Sequence, residues 1–214
     1  MLDVTNTTVS GNEAVNKGGG VYLKERPTAT FNNVTIARNS ATDGGGLAFF
    51  NYDTHSYEGS VSLNRTLISG NYAGVYAQEI LAFLATITSD NFNLFGNDLN
   101  DNSASFMNFV PGATDITATS DGTEPTAFAA IMAELADNGG PTTPATRTHA
   151  LVTGSPAIDR APDADCTAPS PTDGVDQRDV LRNQDGNNLP GGGYECDIGA
   201  YEFVFHERMP GSGE

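Results

Sequence analysis

The chain has 214 residues, of which 38% are hydrophobic and 17% charged, so it is long enough for one elongated domain or for a repeat stack with a terminal module. Its 27 acidic residues against 10 basic ones give a formal net charge of -17, which excludes long-range attraction to nucleic acid or to an anionic membrane surface and makes cations the natural small partners. No basic-then-apolar leader follows Met1 and no apolar run reaches about 18 residues, so neither a signal peptide nor a membrane span is predicted.

Four segments align without gaps: Asn6-Thr7-Thr8-Val9-Ser10-Gly11-Asn12, Asn33-Val34-Thr35-Ile36-Ala37-Arg38-Asn39, Arg65-Thr66-Leu67-Ile68-Ser69-Gly70-Asn71 and Asn91-Phe92-Asn93-Leu94-Phe95-Gly96-Asn97. Their last asparagines lie 27, 32 and 26 residues apart. The first two are followed by the triplets Gly18-Gly19-Gly20 and Gly44-Gly45-Gly46 and then by apolar strands, Val21-Tyr22-Leu23 and Leu47-Ala48-Phe49-Phe50. The third copy keeps Ala73 and replaces the glycines with Val75-Tyr76-Ala77. Alternating Val, Thr, Ile and Phe favour strands, and Gly triplets destabilise helices, so the period predicts one coil of a right-handed parallel β-helix per repeat. About four coils are expected over residues 1–123, each with two or three short strands, with Val9, Ile36, Ile68 and Leu94 stacked inside. Asn12, Asn39, Asn71 and Asn97 are expected to stack as an amide ladder at one corner.

The second repeat is longer than the others, and the excess falls at Asn51-Tyr52-Asp53-Thr54-His55-Ser56-Tyr57-Glu58. Insertions on solenoids often bind ligands, which makes Tyr52, Asp53, His55 and Tyr57 a candidate binding loop, with a plain surface loop as the other reading. Residues 99–123 read as an irregular crossover with one further coil from Ala104 to Val110 and Ile116 to Thr119. Pro125 to Leu135 reads as a helix with Phe128, Ile131, Met132 and Leu135 on one face and Gly139-Gly140-Pro141 beyond its end.

A loop-rich module is expected over residues 124–206, sealing the C-terminal end of the stack, with a tail at 207–214. Cys166 and Cys196 lie 30 residues apart within it. One disulfide between them is the simplest reading, contributing about 3–4 kcal/mol and implying an oxidising compartment, with two reduced thiols as the alternative.

The pattern Ser10-Gly11-Asn12 with Gly18-Gly19-Gly20-Val21-Tyr22 resembles the repeats of large secreted bacterial β-helix proteins, including the polymorphic outer membrane proteins. Five later blocks resemble, in order, the choice-of-anchor Q module: Leu135 to Thr142, Thr148-His149-Ala150-Leu151, Gly154 to Asp159, Asp176-Gln177-Arg178 and Cys196 to Glu202. That resemblance implies export and display at the cell surface or release from it. Met1 opens almost directly on a repeat and no sorting motif closes the chain at His206 to Glu214, so a fragment, a released protein and attachment by packing are all open.

Many parallel β-helices cleave polysaccharides, and their chemistry needs either calcium-binding carboxylates beside a basic residue or two facing carboxylates. Lys17, Lys24, Arg26, Arg38 and Arg65 are the only basic residues before Arg147, and none has an adjacent acidic pair. No catalytic residue is therefore expected. His55, His149 and His206 are far apart in sequence, and a structural hydrogen bond is the default for His149. Calcium is the candidate metal, with Asp173, Asp176, Asp179 and Asp185 as hard oxygen donors, but no cofactor is required. Asp159, Asp176, Arg178 and Asp197 could equally form a buried salt-bridge network. The sequons at Asn6, Asn33 and Asn64 read as Asn-rich corners.

The first coil has no visible cap, so its face is expected to stack on preceding coils, another copy or a larger assembly. These readings together point to a non-catalytic extracellular or cell-surface scaffold for adhesion or assembly. Polysaccharide binding or degradation is the alternative.

Overall fold

Each repeat supplies several short apolar and polar alternations separated by turn-forming residues, and the chain uses them as short strands that pair only with the equivalent strands of neighbouring repeats. The computed structural model describes residues 1–52, 59–89, 91–141, 146–162, 174–182, 184–186 and 196–205. The first layer contains β1 (Leu2–Thr5), β2 (Thr8–Ser10) and β3 (Val21–Lys24), and the second β4 (Thr28–Asn32), β5 (Thr35–Ala37), β6 (Ser40–Asp43) and β7 (Leu47–Phe50). The third contains β8 (Ser60–Asn64), β9 (Leu67–Ser69), β10 (Tyr72–Tyr76) and β11 (Ile80–Phe83). After it come β12 (Thr86–Thr88), β13 (Leu94–Phe95), α1 (Asn102–Ser105), β14 (Phe106–Met107), β15 (Ile116–Thr117) and α2 (Phe128–Ile131).

These strands form four separate sheets, in the orders β1-β4-β8-β12, β10-β6, β14-β11-β7-β3 and β15-β13-β9-β5-β2. Every strand pair is parallel, as in Val9↔Ile36↔Ile68 and Leu23↔Phe49↔Ala82. Alternation sends Leu23, Ala29, Phe31, Ile36, Leu47, Phe49, Leu63 and Ile68 into one continuous interior core. At the far end Phe109 closes over it, edge-on to Phe95 at 5.3 Å and to Phe106 at 5.7 Å.

The register also fixes the corners. Asn6, Asn33, Arg65 and Phe92 occupy one column and all have left-handed backbones, with φ from 46 to 54°. Asn tolerates this conformation, whereas Arg65 and Phe92 are held there by the neighbouring layers. The second and third glycines of each triplet serve a different need, close approach. A Cβ on Gly45 would lie 2.4 Å from the Tyr72 carbonyl oxygen, so even Ala does not fit.

Two expected alignments are corrected by the pairing. Leu47 pairs with Ile80, so Ala77-Gln78-Glu79 rather than Val75-Tyr76-Ala77 replaces the triplet in the third layer. In the fourth layer Phe95, not Leu94, pairs with Ile68, and Leu94 pairs with Leu67. The gapless alignment slipped by one residue because it was anchored on the Gly-Asn corner rather than on the strand, so Leu94 faces outward instead of stacking on Val9, Ile36 and Ile68.

The amide ladder is accordingly shorter than expected and ends differently. Asn12 Nδ2 donates to Asn39 Oδ1 and Asn39 Nδ2 donates to Asn71 Oδ1, each at 3.0 Å. Asn71 Nδ2 then donates to Glu79 Oε2 at 2.7 Å, while Asn97 lies outside the ladder and accepts from the Leu99 backbone. Glu79 also accepts from the Gly70 backbone at 2.9 Å, is fully buried, and has its pKa pushed up to about 8, chiefly by burial. A second ladder, absent from the expectations, links Asn32, Asn64 and Asn91 through amide bonds of 2.9 and 2.8 Å.

The C-terminal module does not seal the end of the stack; it lies along its flank. Ala37, Leu67, Leu94 and Ile116 point out of the five-stranded sheet into a second core with Phe128, Ile131, Met132, Leu151, Ile158 and Ile198. That sheet is buried on both faces, as parallel sheets commonly are. The predicted helix at 125–135 is reduced to the single turn α2, because Met132 turns extended (φ -152°) and bridges to Leu151. Of the further coil expected after residue 99, β14 pairs with β11 and so belongs to the fourth layer, and only β15, paired with β13, extends beyond it. Cys196 is fully buried and its backbone pairs with Ala161; Cys166 lies outside the described residues, and the expected bond between the two lies there with it. No helix among the described residues is long and apolar enough to cross a membrane.

Candidate functional site

The stack carries a groove and a cluster of exposed aromatic side chains where the β6–β10 sheet meets the β3–β7–β11 sheet. In the first layer residues 13–17 run beside β6, with bridges Glu13↔Ser40 and Lys17↔Asp43, and β10 flanks β6 on the other side through Tyr72↔Ser40 and Tyr76↔Asp43. Equivalent positions therefore form two columns, Glu13–Ser40–Tyr72 and Lys17–Asp43–Tyr76. The second ends just before each corner, at Gly18, Gly44 and Ala77, whose left-handed backbones (φ 64, 63 and 55°) swing the chain away.

Strand alternation on β3, β7 and β11 sends Leu23, Leu47, Phe49 and Ile80 inward and leaves Tyr22, Phe50 and Phe83 on the outside. Phe50 is the centre of this outer cluster, edge-on to Tyr22 at 6.0 Å and stacked on Tyr52 at 5.7 Å and Phe83 at 5.3 Å. Lys17 Nζ sits 4.3 Å above the Phe50 ring and 3.0 Å from Asp43 Oδ2. Beside this pair is a groove of about 510 Å³ lined by Ala14, Asn16, Lys17, Tyr22, Thr42 and Asp43. A neighbouring depression of about 340 Å³ shares Ala14, Val15 and Thr42 and runs on to Tyr72. Tyr22, Tyr52, Tyr72 and Tyr76 are 42–64% exposed, an unusual density of aromatic surface on one side of a small domain.

Electrostatically the groove is balanced. The hydrogen bond that Lys17 donates to Asp43 raises the Lys17 pKa above its ordinary value, and burial raises that of Tyr22, so Lys17 stays charged and Tyr22 stays neutral at neutral pH.

Of the expected binding loop, Tyr52 joins this surface, while Asp53, His55 and Tyr57 lie outside the described residues. Of the expected calcium donors, Asp173 lies outside them, and Asp179 is exposed, apart from the buried Asp176. Asp176 is saturated as an acceptor. Its Oδ1 takes the Arg178 and Val180 backbone N–H groups, and its Oδ2 takes the Arg178 guanidinium at 2.6 Å and the Glu202 N–H at 2.9 Å. Asp185 is partly buried in the neighbouring loop. No cluster of three or more metal-binding side chains occurs among the described residues.

The alternative network is present and larger than expected. Asp197 Oδ1 accepts from the Asp159 backbone at 2.8 Å, and the fully buried Arg182 reaches Glu202 Oε2 at 3.3 Å, the Gly199 carbonyl at 2.9 Å and Asn6 Oδ1 at 3.0 Å. Burial raises the pKa of Glu202 to about 7 despite Arg182, and raises that of Asp197 with help from Glu202.

His149 is buried between the module and β2, with Nδ1 2.7 Å from the Ala133 carbonyl and Nε2 2.8 Å from Ser10 Oγ. A carbonyl can only accept, so Nδ1 carries the proton and Ser10 donates to Nε2. Burial lowers the His149 pKa and keeps the ring neutral, a structural tie between module and stack.

The comparisons with known proteins return nothing. The chain matches no family model, no curated protein and no solved structure.

Sequence reasoning missed Tyr22, Lys17, Asp43, Tyr72 and Tyr76. A usable signal existed, since Lys17 and Asp43 both stand directly before a Gly triplet and so had to share a column.

Proposed function

We propose that this protein is a non-catalytic, right-handed parallel β-helix scaffold that works outside the cell in adhesion, holding a ligand in the groove lined by Lys17, Asp43 and Tyr22 and against the adjoining Tyr52. The observation that carries this reading is the exposed tyrosine surface mounted on a rigid in-register stack. Large exposed aromatic patches mark recognition surfaces, and a stack that cannot shear keeps their spacing constant. The extracellular setting rests on the sequence resemblance to secreted β-helix repeats and the choice-of-anchor Q module. The test is binding of the purified chain to a printed panel of glycans and extracellular-matrix proteins. Wild type should bind, and the double variant Tyr22→Ala/Tyr52→Ala should bind at least tenfold less; equal binding by both, or none by wild type, overturns the reading.

A second reading, assembly through the first layer, is favoured by one observation. β1, β2 and β3 are the edge strands of their sheets, and the inward residues Val4, Val9 and Val21 are only half-buried. Another strand layer could pair there, supplied by a second copy or by a different protein. Sedimentation across a hundredfold concentration range should then show association, and a monodisperse monomer counts against it.

A further inference from the structure

Resting on the adhesive reading of the groove, we infer that its ligand is a neutral oligosaccharide lying along the stack axis, rather than a polyanionic glycan or a protein. The groove offers two kinds of contact side by side. Tyr22, which lines the groove, and Tyr52 both pack on Phe50 and remain 42% and 51% exposed, and an exposed aromatic face carries a negative quadrupole that attracts the polarised C–H face of a pyranose ring. In the same groove as Tyr22, the Lys17–Asp43 pair holds a donor and an acceptor about one hydrogen bond apart. An ammonium has three N–H donors and a carboxylate two acceptor oxygens, so each partner keeps capacity after bonding to the other. Adjacent sugar hydroxyls, which both donate and accept, match that pairing.

Charge decides between saccharide classes. Lys17 is paired with Asp43, and Lys24, the other lysine near Tyr22 and Tyr52, is paired with Glu25, so neither is a surplus cation for a uronate or sulfate, and the chain as a whole carries -17. A polyanion would be repelled at long range and unpaired on contact. Shape decides between a glycan and a protein. A stable protein partner covers about 800 Å² per side, whereas this groove and its neighbour are narrow troughs, of about 510 and 340 Å³, that hold a few rings. The continuation from Lys17 and Asp43 toward Tyr72 sets the direction of the ligand, across successive layers.

The chain has no Trp and seven Tyr, four of them on this surface, so a change in tyrosine fluorescence that is lost in Tyr22→Ala reports on it. Wild type is titrated with neutral hexasaccharides of glucose, xylose and mannose and with a galacturonate hexamer. At least one neutral hexamer should bind at least tenfold more tightly than the uronate. Tyr22→Ala and Asp43→Asn should each weaken that binding at least tenfold while keeping the wild-type circular dichroism spectrum, and Tyr22→Phe should retain it. Tighter binding of the uronate, or no difference between wild type and Tyr22→Ala, overturns the inference. If Tyr22→Ala/Tyr52→Ala loses panel binding while no neutral hexamer binds, the groove is adhesive and its ligand is not a neutral sugar.

Discussion

The stack and its flanking module solve the same problem, burying a backbone with few helices, by opposite means. In the stack almost every inward position is apolar, and two runs of asparagines, Asn12–Asn39–Asn71 and Asn32–Asn64–Asn91, pass amide bonds from layer to layer, so the interactions repeat. In the module an apolar core against the stack is joined by a cluster of buried ionisable groups, Asp176, Arg182, Asp197 and Glu202, each at most 2% exposed. Repetition lets many weak, identical contacts set a register. A one-of-a-kind loop cluster has no neighbours to copy and must specify its geometry with directional bonds.

The widest expected effect concerns pH in the stack. Glu79 is held neutral, with its pKa raised from 4.5 to about 8, so between those values the unfolded chain has released a proton that the folded chain retains. Stability is therefore fully present below about pH 4.5, falls as pH rises through about 8, and is flat above. The whole window amounts to something on the order of 4–5 kcal/mol. Urea denaturation at several pH values should show this slope in wild type, and Glu79→Gln should flatten it. An unchanged slope in Glu79→Gln would place the responsible proton elsewhere, with the module carboxylates Glu202 and Asp197 next in line.

In the module, Arg182→Met removes the cation from a buried pair and should cost about 3–5 kcal/mol. Hydrogen exchange should show the loss first at residues 174–182 and 196–202 and only later in the interior strands. Uniform acceleration across both regions would mean that stack and module unfold as one unit. Gly45→Ala forces a Cβ against the Tyr72 carbonyl and should cost about 1–3 kcal/mol, read from the thermal midpoint. The smallest contrast tests the ladder. Asn39→Ala should cost about 2 kcal/mol by stranding its neighbours, and Asn97→Ala under about 1 kcal/mol, although the two residues look equivalent in sequence.

Legibility followed the same division. The first three repeats could be aligned by eye because Val9, Ile36 and Ile68 do pair as their spacing suggests, and parallel pairing followed from the period. The fourth layer could not be placed, since one residue is missing between its strand and its corner and only backbone pairing shows on which side. The 125–135 segment misled because Phe128, Ile131 and Met132 are buried by a chain crossing rather than by a helical face. Glu79 was invisible as a ladder member because nothing in a Gly-Gly-Gly column announces a carboxylate. The groove was half visible: Tyr52 stood out in an insertion, whereas Tyr22 read simply as a strand residue.

The ladder that ends on Glu79 is directional. Each amide passes its N–H to the next oxygen, and the run stops at a side chain that accepts three bonds, from Asn71 and Gly70. Glu79 is thus a stop codon written in hydrogen bonds. It sets how many layers share the column while leaving every earlier link interchangeable. A duplicated copy of the 27-residue unit ending at Asn39 should therefore slot in ahead of it without changing either terminus, so a molecule of this kind can lengthen by whole layers and keep its end intact.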